Sequence, residues 1–324
     1  MNRILSFKKI MFALLGLWIT SGIYAQREPQ YTQYVNNIGS FNPAYVGTVD
    51  KFQATGLYRT QWVDIPGAPK TIRFGLNIPF ANEKTGLGFN VVNEELGATT
   101  QTFLDIAYSY QVNFSEETKL SFGLNAGGAL YDFDFSNQNI EDLNEPLLNT
   151  LQFNEFYPIV GAGVFLYAEE WYVGLSAPNF LTGIVDSEIN SIVDDETQLN
   201  FIGGYVFDLS ESLRFKPAFL ANYTQGLPVN LNLSANFLIR DVLTLGASYR
   251  LDNAVSGLLG VQISKGILVG YAYDYNTNPL GEFSQGSHEI IMKFSFSKKE
   301  DRQNKKKANK AKGKPKQIDS PRFF

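Results

Sequence analysis

The sequence lacks cysteine altogether and contains a single histidine, His288, among 324 residues. Without cysteine the chain can form no disulfide framework, no thiolate zinc site and no cysteine nucleophile. A single histidine excludes metal sites built on clustered histidines, and no other spacing typical of metal ligands is present. We therefore predict a protein with no metal ion and no cofactor.

Long apolar runs are also scarce, and the mean hydropathy of −0.13 is too low for a helical membrane protein. The one extended run lies in residues 1–25, where three basic residues precede the apolar stretch 10–19 and small residues follow it. This order is typical of a secretory signal peptide, with cleavage after Ala25. The alternative, an N-terminal membrane anchor, would need about 20 apolar residues. We therefore expect the mature protein to be exported.

Charges of the two signs are unevenly distributed along the chain. Residues 298–324 contain eleven basic and three acidic residues, whereas residues 26–297 contain 13 basic and 29 acidic residues. A nucleic-acid-binding protein carries its basic residues on the folded domain, so this layout argues against a nucleic-acid partner. The basic tail 298–324 is poor in apolar residues, and we expect it to be disordered and periplasmic.

Alternation of apolar and polar residues with a period of two dominates the body of the chain. In residues 103–114, 229–239 and 267–276 the pattern continues for ten positions or more. Strands of soluble domains average about five or six residues, whereas a strand that crosses a bilayer needs about nine to eleven. We read fourteen such segments, near 52–62, 69–79, 86–94, 100–113, 117–135, 157–168, 170–177, 198–208, 211–224, 228–239, 241–252, 254–264, 266–276 and 286–297. The even number predicts an all-β protein, a transmembrane antiparallel β-barrel of about 14 strands.

The lengths of the connections predict an orientation and a domain organisation. The two longest connections, 136–156 and 178–197, both follow odd-numbered segments, and both are acidic. In outer-membrane barrels the longer loops are extracellular and the termini periplasmic, so we expect that arrangement here. The organisation is then a signal peptide (1–25), a pre-barrel segment that we expect to plug the barrel (26–51), the barrel (52–297) and the basic tail (298–324).

Charged residues fall on the polar face of the alternating segments. A mixed-sign set of this kind suits a lumen in which opposite charges pair, although a hydrated pore lining without a specific role would show the same pattern. His288 has the parity of the apolar face, so we expect it to point towards lipid and do not assign it a catalytic role. The charged residues with the polar parity are Arg59, Arg73, Asp105, Arg214, Lys216, Arg250, Asp274, Glu289 and Lys293.

Several short motifs occur in order along residues 26–297. They are Gln30-Tyr31-Thr32-Gln33-Tyr34, Phe41-Asn42-Pro43-Ala44-Tyr45-Val46-Gly47, Tyr58-Arg59-Thr60-Gln61-Trp62, Gly67-Ala68-Pro69-Lys70-Thr71, Tyr172-Val173-Gly174-Leu175-Ser176-Ala177-Pro178-Asn179, Gly246-Ala247-Ser248-Tyr249-Arg250, Gly270-Tyr271-Ala272-Tyr273-Asp274-Tyr275 and Ser287-His288-Glu289-Ile290. Together they resemble the PorP/SprF family of the Bacteroidota type IX secretion system. The residues singled out by this resemblance are Asn42, Pro43, Ala44, Tyr45, Gly47, Tyr58, Arg59, Gln61, Trp62, Gly67, Ala68, Pro69, Tyr249, Arg250, Asp274, His288 and Glu289.

The resemblance implies an outer-membrane β-barrel without catalytic activity. Its partners would be outer-membrane lipid and either subunits of the type IX apparatus or a large secreted adhesin, which in some members is linked to gliding motility. No small-molecule substrate is implied, and the basic tail departs from the family pattern. From the residues alone, a passive porin or small-molecule transporter is the main alternative, followed by an enzyme or a soluble β-protein.

Overall fold

The structure, a computed structural model, describes residues 30–134, 152–181 and 197–296. The expected signal peptide, the basic tail and most of the two long connections lie outside these residues. The described residues form one antiparallel sheet, with strands β1 (Phe52–Thr60), β2 (Lys70–Pro79), β3 (Thr85–Leu96), β4 (Thr99–Asn113), β5 (Lys119–Asp134), β6 (Gln152–Tyr167), β7 (Trp171–Ala177), β8 (Gln198–Tyr205), β9 (Phe207–Ser210), β10 (Leu213–Thr224), β11 (Asn230–Ile239), β12 (Leu243–Arg250), β13 (Ala254–Ser264), β14 (Ile267–Asn276) and β15 (Ser287–Phe296).

The sheet closes on itself because β1 pairs with β15. Phe52 lies opposite Phe296 and Thr60 opposite His288. Strands β8 and β9 are separated only by Val206 and both pair with β10, so they are two halves of one barrel strand. The closed barrel therefore has 14 antiparallel strands, which confirms the fold predicted from the alternation.

Alternation in the sequence corresponds to the two faces of the barrel wall. On β4 the side chains of Leu104, Ile106 and Tyr108 are exposed on the outer surface, whereas those of Ala107 and Ser109 are buried. Closure matters because every backbone N–H and C=O of a membrane-spanning strand must find its partner within the protein. The two faces also match a transmembrane barrel, whose outer surface is apolar where it contacts lipid and whose interior is polar.

The two ends of the barrel carry connections of different length. At one end, which holds the start of β1 and the last residue of β15, the longest connections are 80–84 and 114–118, each of five residues. We call this the terminus end. The opposite end, the loop end, carries the connections between β5 and β6 and between β7 and β8, together with the ordered loops 61–69 and 277–286.

Strand β6 begins at Gln152, five residues before the segment that the alternation indicates. Residues 152–156 pair with the end of β5, whose last residue is Asp134. Glu155 lies on the same face as Ile159, so the apolar-to-polar alternation is interrupted there although the ladder continues. Backbone pairing, which needs no particular side chain, extends this hairpin.

Residues 30–51 precede β1 and lie inside the barrel. They form three short 3-10 helices, Tyr34–Asn36, Ile38–Ser40 and Pro43–Tyr45. In the described part of the chain, no helix is long and apolar enough to cross a membrane. A barrel of eight strands is filled by its own side chains, but a wider one leaves a lumen. Here the largest buried cluster is made jointly by this segment and the barrel wall, and contains Tyr31, Tyr34, Val35, Ile38, Phe41, Ala44, Tyr45, Val49, Leu57, Phe165, Tyr167, Tyr172, Ile202, Ala218, Leu220 and Ile291.

Candidate functional site

Four charged side chains from four strands meet inside the barrel. Arg59 Nη2 lies 2.7 Å from Asp274 Oδ2, and Arg59 Nη1 lies 3.1 Å from Glu289 Oε2. Arg250 Nη1 is 3.9 Å from the same oxygen of Asp274. Each of the four side chains is at most 5% exposed. A charge removed from water is costly unless it is paired, so these four residues, the charge cluster, depend on one another.

The charge cluster binds the backbone of the N-terminal segment. The carboxylate of Glu289 accepts hydrogen bonds from two consecutive backbone N–H groups, those of Thr32 (2.9 Å) and Gln33 (2.8 Å). The Thr32 hydroxyl donates to Asp274 Oδ1 at 2.6 Å and accepts from Arg59 Nη1 at 3.1 Å. Hydrogen bonds to charged groups are the stronger ones in proteins. The cluster therefore fixes the segment near the beginning of its described part.

A second attachment lies further along the segment, at the Asn42-Pro43-Ala44 turn. The side chain of Asn42 caps the third 3-10 helix, because its Oδ1 accepts from the backbone N–H of Ala44 at 2.9 Å, and Pro43 occupies the first helical position. Asn42 Nδ2 also donates to the backbone oxygen of Val164 at 3.0 Å. The Ser121 hydroxyl donates to the backbone oxygen of Ala44 at 2.7 Å. One asparagine thus forms the turn and ties it to β6.

Glycines on the inner wall allow the backbone of the segment to approach the strands this closely. A Cβ atom on Gly123 would overlap the backbone of Ala44, and one on Gly86 would overlap the backbone of Gly47. A Cβ on Gly163 would overlap the side chain of Asn42. These positions relieve side-chain bulk, as glycines within strands do when another backbone comes near.

Between the two attachments the segment is held by polar groups on other strands. Arg73 donates to the side chains of Asn37 and, at 2.6 Å, of Asn90. The phenol of Tyr34 lies 2.9 Å from Ser234 Oγ, on the opposite side of the lumen. Burial raises the pKa of Tyr34, so its hydroxyl stays protonated. The segment is therefore tied to strands on opposite sides of the barrel.

The residues singled out by the sequence motifs fall into three places. Asn42, Pro43, Ala44, Tyr45, Gly47, Arg59, Arg250, Asp274 and Glu289 lie in the two attachments or in the segment itself. Gln61, Trp62, Gly67, Ala68 and Pro69 form the loop 61–69 at the loop end. Tyr58, Tyr249 and His288 are on the outer face.

The loop 61–69 is joined to its neighbours by backbone hydrogen bonds. Val63 donates to the carbonyl of Gly286, and Gly97 donates to that of Gly67, each at 2.9 Å. Trp62 has a φ of 45°, an uncommon conformation for a bulky residue, and its backbone N–H donates to Ser287 Oγ at 3.2 Å. The loop is therefore an ordered part of the loop end.

His288 lies where its parity predicts, on the outer face. Its Nδ1 is 2.7 Å from the hydroxyl of Tyr271. Within the residues that the structure describes, no group of three acidic, histidine or cysteine side chains could hold a metal ion.

Sequence reasoning did not single out Asn37, Ser121 and Ser234, and it named Thr32 and Gln33 only as part of a longer motif. All five residues form hydrogen bonds between the N-terminal segment and the barrel wall. The sequence carries only a weak signal for Ser121 and Ser234, because each is a small polar side chain on the inward face of an apolar strand.

The chain matches the family model described as "Type IX secretion system membrane protein PorP/SprF" over residues 23–294. It belongs to this family. The match includes every residue of the two attachments, and it confirms the resemblance seen in the motifs. As a member of the PorP/SprF family with a closed barrel, the chain is an outer-membrane protein of type IX secretion.

Solved structures that resemble this PorP/SprF barrel include outer-membrane proteins of low sequence identity. Omp33 of Acinetobacter baumannii is 11% identical with a TM-score of 0.43, covering 77% of this chain and 100% of that chain. The KdgM porin is 11% identical with a TM-score of 0.39, covering 76% and 99%. A FadL homologue of Pseudomonas aeruginosa is 10% identical with a TM-score of 0.41, covering 79% and 92%. No curated protein gives a significant match.

Proposed function

We propose that this PorP/SprF barrel is a non-enzymatic component that supports the secretion or surface anchoring of a large adhesin, with its N-terminal segment acting as a plug. The main support for this proposal is that the charge cluster binds the N-terminal segment of the same chain. Its carboxylates bind backbone N–H groups and a hydroxyl of the chain itself. Because these charges are already paired with the chain itself, the arrangement supports contact with polypeptide over binding of a small molecule or catalysis.

The proposed orientation has the termini in the periplasm and the loop end outside the cell. Connection lengths support it, because every connection at the terminus end is short whereas the loop end carries the two longest. The ordered loop 61–69, which contains family motif residues, lies at the same end as these long connections. The adhesin would then dock at the loop end, and in some cells this would serve gliding motility.

Shortening the two long connections tests the docking role. We expect replacement of residues 136–150 and 182–196 by short Gly-Ser linkers to leave the barrel folded, since no strand is altered, and to abolish retention of the adhesin at the cell surface. Folding is checked by heat-dependent gel mobility and retention by surface immunolabelling. Gly-Ser linkers of the original length are the matched control, because they change the sequence of the two loops and leave their length unchanged. Normal retention with short linkers would refute docking at these loops.

The basic tail 298–324 is a proposed periplasmic contact. Eleven basic residues against three acidic ones favour an acidic subunit of the secretion apparatus or an anionic cell-wall polymer. We expect truncation after Ser297 to leave membrane insertion intact and to reduce co-purification of periplasmic partners. In the intact protein the contact should weaken as salt rises, since exposed charges are screened within about 10 Å at 0.1 M. Identical partners and salt dependence after truncation would exclude the tail as the contact.

A passive porin remains the alternative function, because a barrel of this size has a lumen. Ion conductance in planar bilayers distinguishes the two functions. A porin conducts with its N-terminal segment in place, whereas a plugged barrel conducts only after the segment is removed.

A further inference from the structure

A concave apolar site lies on the outer face of the barrel wall between β4 and β8. Its volume is about 570 Å³, and its walls include Tyr108, Phe122, Val164, Leu175 and Leu199. We call it the outer groove. None of the inward-facing charges contributes to it, so it is separate from the charge cluster.

Register across the strands explains why the wall is concave here. In one row of outward positions, Leu124 of β5 pairs with Ala162 of β6, and Ala162 pairs with Ala177 of β7. In the next row, Phe122 pairs with Val164 and Val164 with Leu175. Two alanines side by side therefore form a floor beside a ridge of larger side chains.

The surroundings of this face determine what fills the groove. The outer surface of an outer-membrane barrel is in contact with hydrocarbon, and an unfilled apolar concavity loses the dispersion contacts of its lining. The volume falls within the range of about 300–1,000 Å³ common for small-molecule sites, which are mostly apolar with a few placed polar groups. Tyr108 and Tyr110, whose side chains each carry a polar hydroxyl, line one edge of the groove.

We propose that the outer groove binds one acyl chain of a phospholipid from the periplasmic leaflet. The leaflet follows from the two tyrosines, which lie in the second half of β4, towards the terminus end. This assignment rests on the orientation given under the proposed function. The two phenols can donate hydrogen bonds to the ester oxygens of the lipid, while the alanine floor accommodates the chain.

The same stretch of wall separates the groove from the N-terminal segment. Asn42 Nδ2 donates to the backbone oxygens of Val164 (3.0 Å) and Leu175 (3.4 Å), whose side chains line the groove on the other face. Gly163, which has no side chain, lies between them and the alanine floor. A bound acyl chain therefore packs against the outer side of the wall that carries the second attachment.

Photolabelling in native outer membranes tests the site. Cells are supplied with phospholipid that carries a diazirine in one acyl chain, and after irradiation the lipid adducts on the protein are mapped by mass spectrometry. We expect adducts to be several-fold enriched on the peptides of β5 to β7 compared with outward positions on the opposite wall, such as Leu245 and Leu259. Ala162→Trp should remove that enrichment, whereas Ala235→Trp, at an outward alanine of β11, should not.

Several results would overturn the proposal. Even labelling around the wild-type barrel would mean ordinary lipid contact only, and this measurement needs no variant that might misfold. Equal loss of label in Ala162→Trp and Ala235→Trp would show that the effect is not local. Labelling of the groove by lipopolysaccharide carrying the diazirine, and not by phospholipid, would contradict the assigned leaflet. Photocross-links from the groove to another protein would replace the lipid with a protein partner. Lipid labelling and adhesin retention are measured separately. The groove proposal can therefore fail while the adhesin is retained, and it can be supported while retention is lost.

Discussion

Deletion of residues 26–46 should convert the barrel into an open channel. In the intact protein this part of the chain contributes Tyr34, Ile38 and Ala44 to the buried interior, each at most 1% exposed. Without it the polar and charged inward side chains would lose their partners within the protein and would bind water instead, so the lumen would fill with water. Single-channel recording in planar bilayers should show large, stable conductance steps for the deletion and little conductance for the intact protein.

The matched control for the deletion is truncation after Ser297, which removes a similar length of chain beyond the last strand. We expect that truncation to leave the conductance at the level of the intact protein. If the deletion conducts no better than the intact barrel, the segment is not what closes the lumen. If the intact protein already conducts like an open pore, the porin alternative is favoured.

Breaking the charge cluster should have the largest effect on stability. Replacing Arg59 by Met leaves Asp274 and Glu289 buried near each other without the arginine that contacts both. Removal of one partner of a buried ion pair costs about 3–5 kcal/mol. We expect Arg59→Met to lower the free energy of unfolding by about that amount, measured by urea titration of barrels refolded into lipid vesicles.

Two variants show whether the loss comes from the buried charge. Arg214→Met removes an arginine whose partner Asp241 is 72% exposed, so that ion pair is worth at most about 1 kcal/mol. The double variant Arg59→Met, Glu289→Gln removes one charge of each sign, leaves Arg250 paired with Asp274, and should recover part of the lost stability. Similar losses for Arg59→Met and Arg214→Met would contradict a special role for the cluster.

Much of the fold was predictable because a membrane barrel must separate two environments with one layer of sheet. A period of two in the sequence follows directly from that requirement, and it located the strands to within a few residues. The start of β6 was missed because residues 152–156 are held by backbone pairing with β5, without the alternation on which the prediction depends.

The candidate site was predictable only in part. Parity correctly placed Arg59, Arg250, Asp274 and Glu289 on the inner face, but parity does not say which inward charges meet. Arg59 and Glu289 are 230 positions apart, and they are neighbours only because β1 closes on β15 with the register that the structure has. The use of Glu289 to bind backbone N–H groups has no sequence signal, since every residue except proline carries that donor.

The outer groove has the same origin. Ala162 and Ala177 are unremarkable alone, and they form a floor because the register of β6 and β7 places them side by side. Features that depend on strand register and barrel closure can therefore be identified only from the structure, whereas features of a single strand can be predicted from the sequence.

The chain has no cysteine, so any introduced cysteine is its only thiol. Cysteine labelling is therefore the most direct test of whether the N-terminal segment occupies the lumen. Ser121→Cys places the thiol on the inner wall beside the backbone oxygen of Ala44, and Ser115→Cys places a control in an exposed turn. In folded barrels, a membrane-impermeant maleimide should label Ser115→Cys at once and leave Ser121→Cys unlabelled. Deletion of residues 26–46 should make Ser121→Cys as reactive as the control. Rapid labelling of Ser121→Cys in the intact protein would show that the N-terminal segment does not occupy the lumen.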